Sequence, residues 1–195
     1  FNIYNTLGAI GAALNEGISM DDAIEAVKDF QSVPGRFELI DEGQSFAVVV
    51  DYAHTPDGLE KILGTAREIT EGKIIAVFGC GGDRDRMKRP IMGSIAAEHA
   101  DISIVTSDNP RTEDPEKIIE DVVVGVEKVK KNKPDLYYEV IADRRQAIKR
   151  AVSLAKDDDI VIIAGKGHED YQILKDRTIH FDDREEARNA LKEVK

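Results

Sequence analysis

Apolar residues in this chain follow two different spacings. Across 4–17 they recur at helical intervals, with Leu7, Ile10, Ala13 and Leu14 on one stripe of a small-residue helix that Gly17 stops. Ser19 then caps a second helix, which runs to about Phe30 through Ala23, Ile24 and Val27. Pro34-Gly35 breaks this pattern and predicts a domain boundary, dividing the chain into 1–33 and 34–195. Beyond it, short apolar runs alternate with amphipathic stretches. The runs at 37–40, 46–50, 74–78, 102–106, 136–140 and 160–164 predict six strands. Helices fit between the later ones. Thr55-Pro56 is a cap followed by proline at the first helical position, with Leu59, Ile62, Leu63, Ala66 and Ile69 as the buried stripe. Asp114-Pro115 repeats that device ahead of Ile118, Ile119, Val122 and Val126, and Asp143 caps a helix carrying Ile148, Val152 and Leu154. A hairpin around 173–181 and a last helix from Asp183 through Ala187, Ala190 and Leu191 complete the pattern. Alternation of this kind predicts an α/β fold: a mostly parallel six-stranded sheet with helices on both faces, preceded by a short helical segment.

Composition narrows the setting. At 195 residues the chain suits one domain with an appendage. Its single cysteine, Cys80, excludes an internal disulfide framework and fits a reducing, cytoplasmic compartment. No apolar run approaches the roughly 20 residues needed to span a bilayer, and nothing resembles a signal peptide, so no membrane insertion is expected. Against 38 Asp and Glu stand 27 Lys and Arg, a net charge of -11 that argues against non-specific nucleic-acid binding. Local clusters of Arg and Lys remain free to bind anions.

Four polar loops follow predicted strands. They are Asp51-Tyr52-Ala53-His54-Thr55-Pro56, the glycine-rich loop at 79–86, Asp108-Asn109-Pro110-Arg111, and Gly165-Lys166-Gly167-His168-Glu169-Asp170. In a parallel sheet all four fall on the carboxyl edge, where open α/β folds bind ligands. In the third loop a guanidinium can grip a carboxylate while the neighbouring acid holds an ammonium, a pairing suited to a zwitterion. Read alone, that loop is also an ordinary polar turn. The glycine-rich loop is neither a Walker phosphate loop nor a dinucleotide fingerprint, because Arg84 stands where the third glycine belongs. Asp83 and Asp85 could hold Arg84 for a ligand carboxylate, or the three could form a self-satisfied surface cluster. The fourth loop has no metal-ligand spacing, and no metal-binding residue is assigned.

The chain resembles the Mur ligase family, most closely its diaminopimelate-adding, MurE-type branch. The resemblance covers essentially the whole chain. It rests on Asn2 and Asn5 three apart, Pro34-Gly35-Arg36, the 51–56 motif, Gly81-Gly82-Asp83-Arg84-Asp85, Asp108-Asn109-Pro110-Arg111 and the 165–171 motif. It implies a Rossmann-like C-terminal domain that binds the incoming amino acid, with 1–33 as the last helices of a central ATPase domain. The implied reaction is amide formation in peptidoglycan synthesis. ATP phosphorylates the D-glutamyl carboxylate of UDP-MurNAc-L-Ala-D-Glu, and the amine of meso-diaminopimelate attacks the acyl phosphate. Mg²⁺ would neutralise phosphate oxygens, bound, like ATP, mainly by the central domain.

The same resemblance assigns roles. Asn2 and Asn5 join the ATP-binding set, with Asn5 near the adenine, Asp51 on the ribose, Arg36 facing the phosphates and His54 close to the nucleotide. From the residues alone, the asparagines could instead cap a helix, Arg36 could be solvated, and Asp51 could cap a turn. The amino-acid pocket would draw on Arg84, Asp108, Asn109, Pro110, Arg111, Gly165 and Glu169, with no residue assigned to bond-making itself. The family's Gly-Lys-Thr loop, its modified lysine and its UDP-binding domain are absent from the 195 residues, so the chain alone is expected to be inactive. Two alternatives stay open: a stand-alone amino-acid or nucleotide-binding module, and a ligase of this type that uses lysine or glutamate.

Overall fold

A computed structural model describes residues 2–30 and 33–194. The chain divides into two compact units, Phe1–Val33 and Pro34–Lys195. The first holds α1 (Asn2–Asn15) and α2 (Met20–Asp29). Ser19 caps α2 by accepting a hydrogen bond from the Asp22 N–H at 3.1 Å. Leu7, Leu14, Ile24 and Val27, drawn from the apolar stripes of the two helices, are exposed.

The second unit is built on six strands: β1 (Glu38–Leu39), β2 (Ala47–Asp51), β3 (Ile74–Phe78), β4 (Ile102–Val105), β5 (Tyr137–Val140) and β6 (Ile160–Ala164). They lie in the order β1-β2-β6-β3-β4-β5. β1 runs antiparallel to β2, and all other pairs are parallel. This is the mostly parallel six-stranded sheet expected from the alternation of runs.

Alternation within each strand loads both faces of the sheet. Val49, Ile74, Ala76, Phe78, Ile160 and Ile162 pack against α3 (Pro56–Ile69), α4 (Lys88–His99) and α5 (Pro115–Lys130). Their neighbours Val48, Val50, Ile75, Val77, Val161 and Ile163 pack against α6 (Arg144–Leu154) and α7 (Asp183–Glu193). Each of β3 and β6 is buried over its whole length, which explains their unbroken apolar runs. Thr55, Asp114 and Asp143 cap their helices through side-chain oxygens. Asp182 does the same for α7.

One helix, α4, was not delineated by apolar spacing. No side chain caps its start at Met87, Pro90 sits in its first turn, and its buried residues include Arg89 and Gly93. A hairpin of β7 (Tyr171–Ile173) and β8 (Thr178–His180) follows β6 and pairs antiparallel. β6 lies between β2 and β3 although it comes last of the six in sequence, so the β6 loop emerges in the middle of the carboxyl edge.

Candidate functional site

The four polar loops meet at that edge, held by named bonds. Gly165 N–H donates to Asp51 O at 3.0 Å, joining the loops after β6 and β2. Gly82 N–H donates to Asn109 O at 2.9 Å, and Arg111 Nη1 returns a bond to Gly82 O at 2.8 Å, joining the loops after β3 and β4. Asn109 Nδ2 donates to Glu169 Oε2 at 3.0 Å, joining the loops after β4 and β6. Lys88 Nζ, at the start of α4, donates to His54 O at 2.7 Å and closes the set.

Such close approach depends on glycine. A Cβ on Gly82 would lie 1.9 Å from Pro110 O, and one on Gly167 would lie 2.7 Å from both Gly35 O and Tyr52 Cβ. Arg111 and Asp83 take left-handed backbone conformations, with φ of 52° and 53°. Each such position costs on the order of 1–3 kcal/mol, and strain of this kind gathers where a ligand is held.

At the centre, Asp108 and Glu169 lie beside a fully buried Lys166. Lys166 Nζ is 3.2 Å from Asp108 Oδ1 and 3.9 Å from Glu169 Oε2. Burial pushes its ammonium below the ordinary lysine range, and Asp108 opposes that shift. Beneath it, Arg144 grips Asp183 with two bonds of 2.8 and 2.7 Å and donates to Ala164 O at 3.0 Å. Arg111 has no side-chain partner beyond Gly82 O and Asn109 O among the described residues, so the rest of its guanidinium is free. Glu169 Oε1 is likewise unpartnered among them. A free guanidinium edge beside free carboxylate oxygens matches the two ends of an amino acid.

The other expected residues are placed as follows. Pro110 is buried between the β3 and β4 loops, and Gly165 is buried at the end of β6. Arg84 is exposed and, among the described residues, donates only to Asp83 O, at 3.1 Å. Its neighbours do not hold it: Asp83 binds the Thr112 N–H and hydroxyl, and Asp85 accepts from Met87 N–H. Instead Asp83 latches the β3 loop to the β4 loop, reinforced by its own N–H donating to Glu113 at 2.6 Å.

Asp51 is buried with one oxygen on Phe37 N–H and the other on Ala53 N–H. Burial raises its pKa, against the pull of those two bonds. Arg36 lies over the Tyr52 ring at 4.7 Å, and the His54 and His168 rings lie 4.6 and 5.2 Å from the same ring. Asn5 is exposed on α1 in the first unit. The Asn2 side chain lies outside the described residues. No cluster of three or more His, Cys, Asp or Glu among the described residues is arranged to hold a metal ion.

Apolar spacing did not point to the β7–β8 hairpin as part of the site. Arg111 N–H donates to Ile173 O, Ile173 N–H donates to Asn109 Oδ1, and Gln172 Nε2 donates to Asp108 O at 2.6 Å.

Comparison with known proteins fits this geometry. A family model described as "Mur ligase, glutamate ligase domain" matches residues 35–167. The chain belongs to the Mur ligase family. It is 56% identical over 196 residues to the UDP-N-acetylmuramoyl-L-alanyl-D-glutamate--2,6-diaminopimelate ligase of Clostridium botulinum, covering 100% of this chain and 39% of that protein. It is 55% identical to the ligase of the same name from Thermosynechococcus vestitus, over 99% of this chain and 38% of that protein. A solved structure of a ligase of that name superposes with a TM-score of 0.76 at 42% identity, covering 99% of this chain and 38% of that one. The chain thus spans less than two-fifths of these Mur ligase relatives. No helix of the described residues is long and apolar enough to cross a membrane.

Proposed function

We propose that Pro34–Lys195 forms the amino-acid-binding domain of a cytoplasmic, ATP-dependent Mur ligase that adds meso-diaminopimelate to UDP-MurNAc-L-Ala-D-Glu, with 1–33 belonging to the neighbouring ATPase domain. The observation that carries this reading is the meeting of Asp108, Arg111 and Glu169 at the carboxyl edge of the sheet, each with polar atoms that make no hydrogen bond among the described residues. Asp108 and Glu169 face the ligand's ammonium, and Arg111 and the exposed Arg84 face its carboxylates. The names of the relatives specify diaminopimelate, which supports this choice of ligand.

Diaminopimelate differs from lysine by a second carboxylate at its far end. Lysine would leave a pocket guanidinium without that partner, at about 1–3 kcal/mol for a desolvated polar group. The domain's contribution to bond formation is positioning: it presents the amine to an acyl phosphate formed from ATP and the D-glutamyl carboxylate, and phosphate departs as the amide forms. Asp51, Arg36 and His54 would face the nucleotide, and Asn2 and Asn5 are likewise proposed as ATP-binding residues. Mg²⁺ would be held by the rest of the protein.

A substrate panel on the full-length ligase tests this reading. With ATP and UDP-MurNAc-L-Ala-D-Glu present, phosphate release should follow addition of meso-diaminopimelate, and lysine or glutamate should support it at least about tenfold less well by kcat/KM. Equal use of lysine would overturn the ligand assignment. Release without any of these amino acids would overturn the ligase reading.

A further inference from the structure

We propose that Lys166 is a positioning residue for the amino-acid site. Its buried ammonium fixes the Asn109 amide, orients Glu169 through that amide, and leaves one net negative charge for the incoming ammonium. The proposal rests on the amino-acid-binding reading above.

Lysine is among the residues least often found fully buried, and here its side chain has no exposed surface. Two of its donors make hydrogen bonds and its charge faces a carboxylate. Nζ donates to Asn109 Oδ1 at 3.0 Å and to Tyr171 O at 2.8 Å, and it lies 3.2 Å from Asp108 Oδ1. The ammonium therefore joins the β4 loop, the β6 loop and β7.

The consequence for Asn109 follows from counting lone pairs. Its Oδ1 accepts from both Lys166 and Ile173 N–H, which fills the carbonyl and fixes which way the amide faces. Nδ2 must then face Glu169, to which it donates at 3.0 Å. Glu169 is held by one oxygen, and its other oxygen is left for a ligand. Asn109 thus serves as a relay from Lys166 to Glu169, and its carbonyl takes no part in reading the substrate.

Charge gives the second part of the argument. Arg144 and Asp183 neutralise one another below the site. Above them, Asp108 and Glu169 carry two negative charges against the single positive charge of Lys166. With Arg111 set against a ligand carboxylate, one carboxylate equivalent remains, which matches one ammonium. Without Lys166 two carboxylates would share a largely dry site, an arrangement that favours taking up a proton over binding a cation in the correct place.

The test uses the full-length ligase with Lys166→Met, which keeps an unbranched stem of similar volume and removes the ammonium. The KM for meso-diaminopimelate should rise about tenfold or more, while the KM for ATP stays within about threefold. The effect should be much smaller when Asn109→Ala is already present, because the relay is then broken at its next member. Equal rises in both KM values, or full additivity with Asn109→Ala, would overturn the proposal by showing a merely structural role. Should Lys166→Met fail to fold, Asn109→Leu cuts the same relay and must reproduce the selective rise; an unchanged KM would overturn the relay. Glu169→Gln separates the two layers of the argument. If it leaves the diaminopimelate KM unchanged, the site reading itself fails. If it raises that KM while Lys166→Met does not, the role of Lys166 alone is wrong.

Discussion

Replacing Asp183 by alanine should destabilise this protein more than any surface change, because it strands a buried guanidinium. Both side chains of the Arg144–Asp183 pair have no exposed surface, and the carboxylate accepts two charged hydrogen bonds of 2.8 and 2.7 Å. Arg144 already has one buried nitrogen, Nη1, without a hydrogen bond among the described residues, and losing the carboxylate strands its Nε as well. Breaking one half of a buried ion pair costs about 3–5 kcal/mol. Losing an acidic residue from the first turn of α7 adds about 0.3–1 kcal/mol. In a chain of this size each kcal/mol lowers Tm by roughly 2–4 °C, so a fall of about 7–24 °C is expected. Thermal unfolding followed by circular dichroism reads it directly. The sharper test is the double variant Arg144→Met/Asp183→Leu. With no charge left to bury, it should be more stable than Asp183→Ala alone. A double variant as unstable as the sum of the separate losses would refute the reasoning.

Three further outcomes follow from the same structure. Gly82→Ala drives a Cβ into Pro110 O and should cost about 1–3 kcal/mol, read as a lowered urea midpoint; an unchanged midpoint would show that the β3 and β4 loops are not in contact. Glu113 is held down to about 2, chiefly by hydrogen bonds from Arg89, against its ordinary 4.5. The unfolded chain therefore binds the extra proton between those values, so stability should fall as pH drops from about 4.5 to 2, and Glu113→Gln should flatten that slope in acid titrations of Tm. Burial pushes the Cys80 thiol up to about 12, so it should resist a disulfide exchange reagent at pH 8 in the native protein and react after unfolding; rapid native reaction would contradict its burial.

The sheet was legible because its four central strands bury both faces and so leave unbroken apolar runs, and because Thr55-Pro56, Asp114-Pro115 and Asp143 mark helix starts with side chains that do cap. Helix α4 was obscured for the opposite reasons. It has no side-chain cap, and one of its inward residues is Arg89, buried by Glu113 and Asp121, partners that lie 24 and 32 positions away. The placing of four loops on one edge follows from parallel strands, so the neighbourhood of the site was readable from the runs. Its internal wiring was not. Asp83 looked like a partner for Arg84 by adjacency, yet Thr112, brought close by the fold, satisfies it first. Lys166 read as one more charge in a polar loop, because nothing local shows that β7 will supply a carbonyl to bury it. The Arg144–Asp183 pair, 39 positions apart, is a product of packing α6 against α7.

The central claim is that this edge of the sheet selects the incoming amino acid. It is tested most directly by steady-state kinetics on the full-length ligase with Arg111→Ala. If Arg111 reads a ligand carboxylate, the KM for meso-diaminopimelate should rise about tenfold or more, while the KM for ATP stays within about threefold. Equal rises in both, or no change in the diaminopimelate KM, would contradict the account.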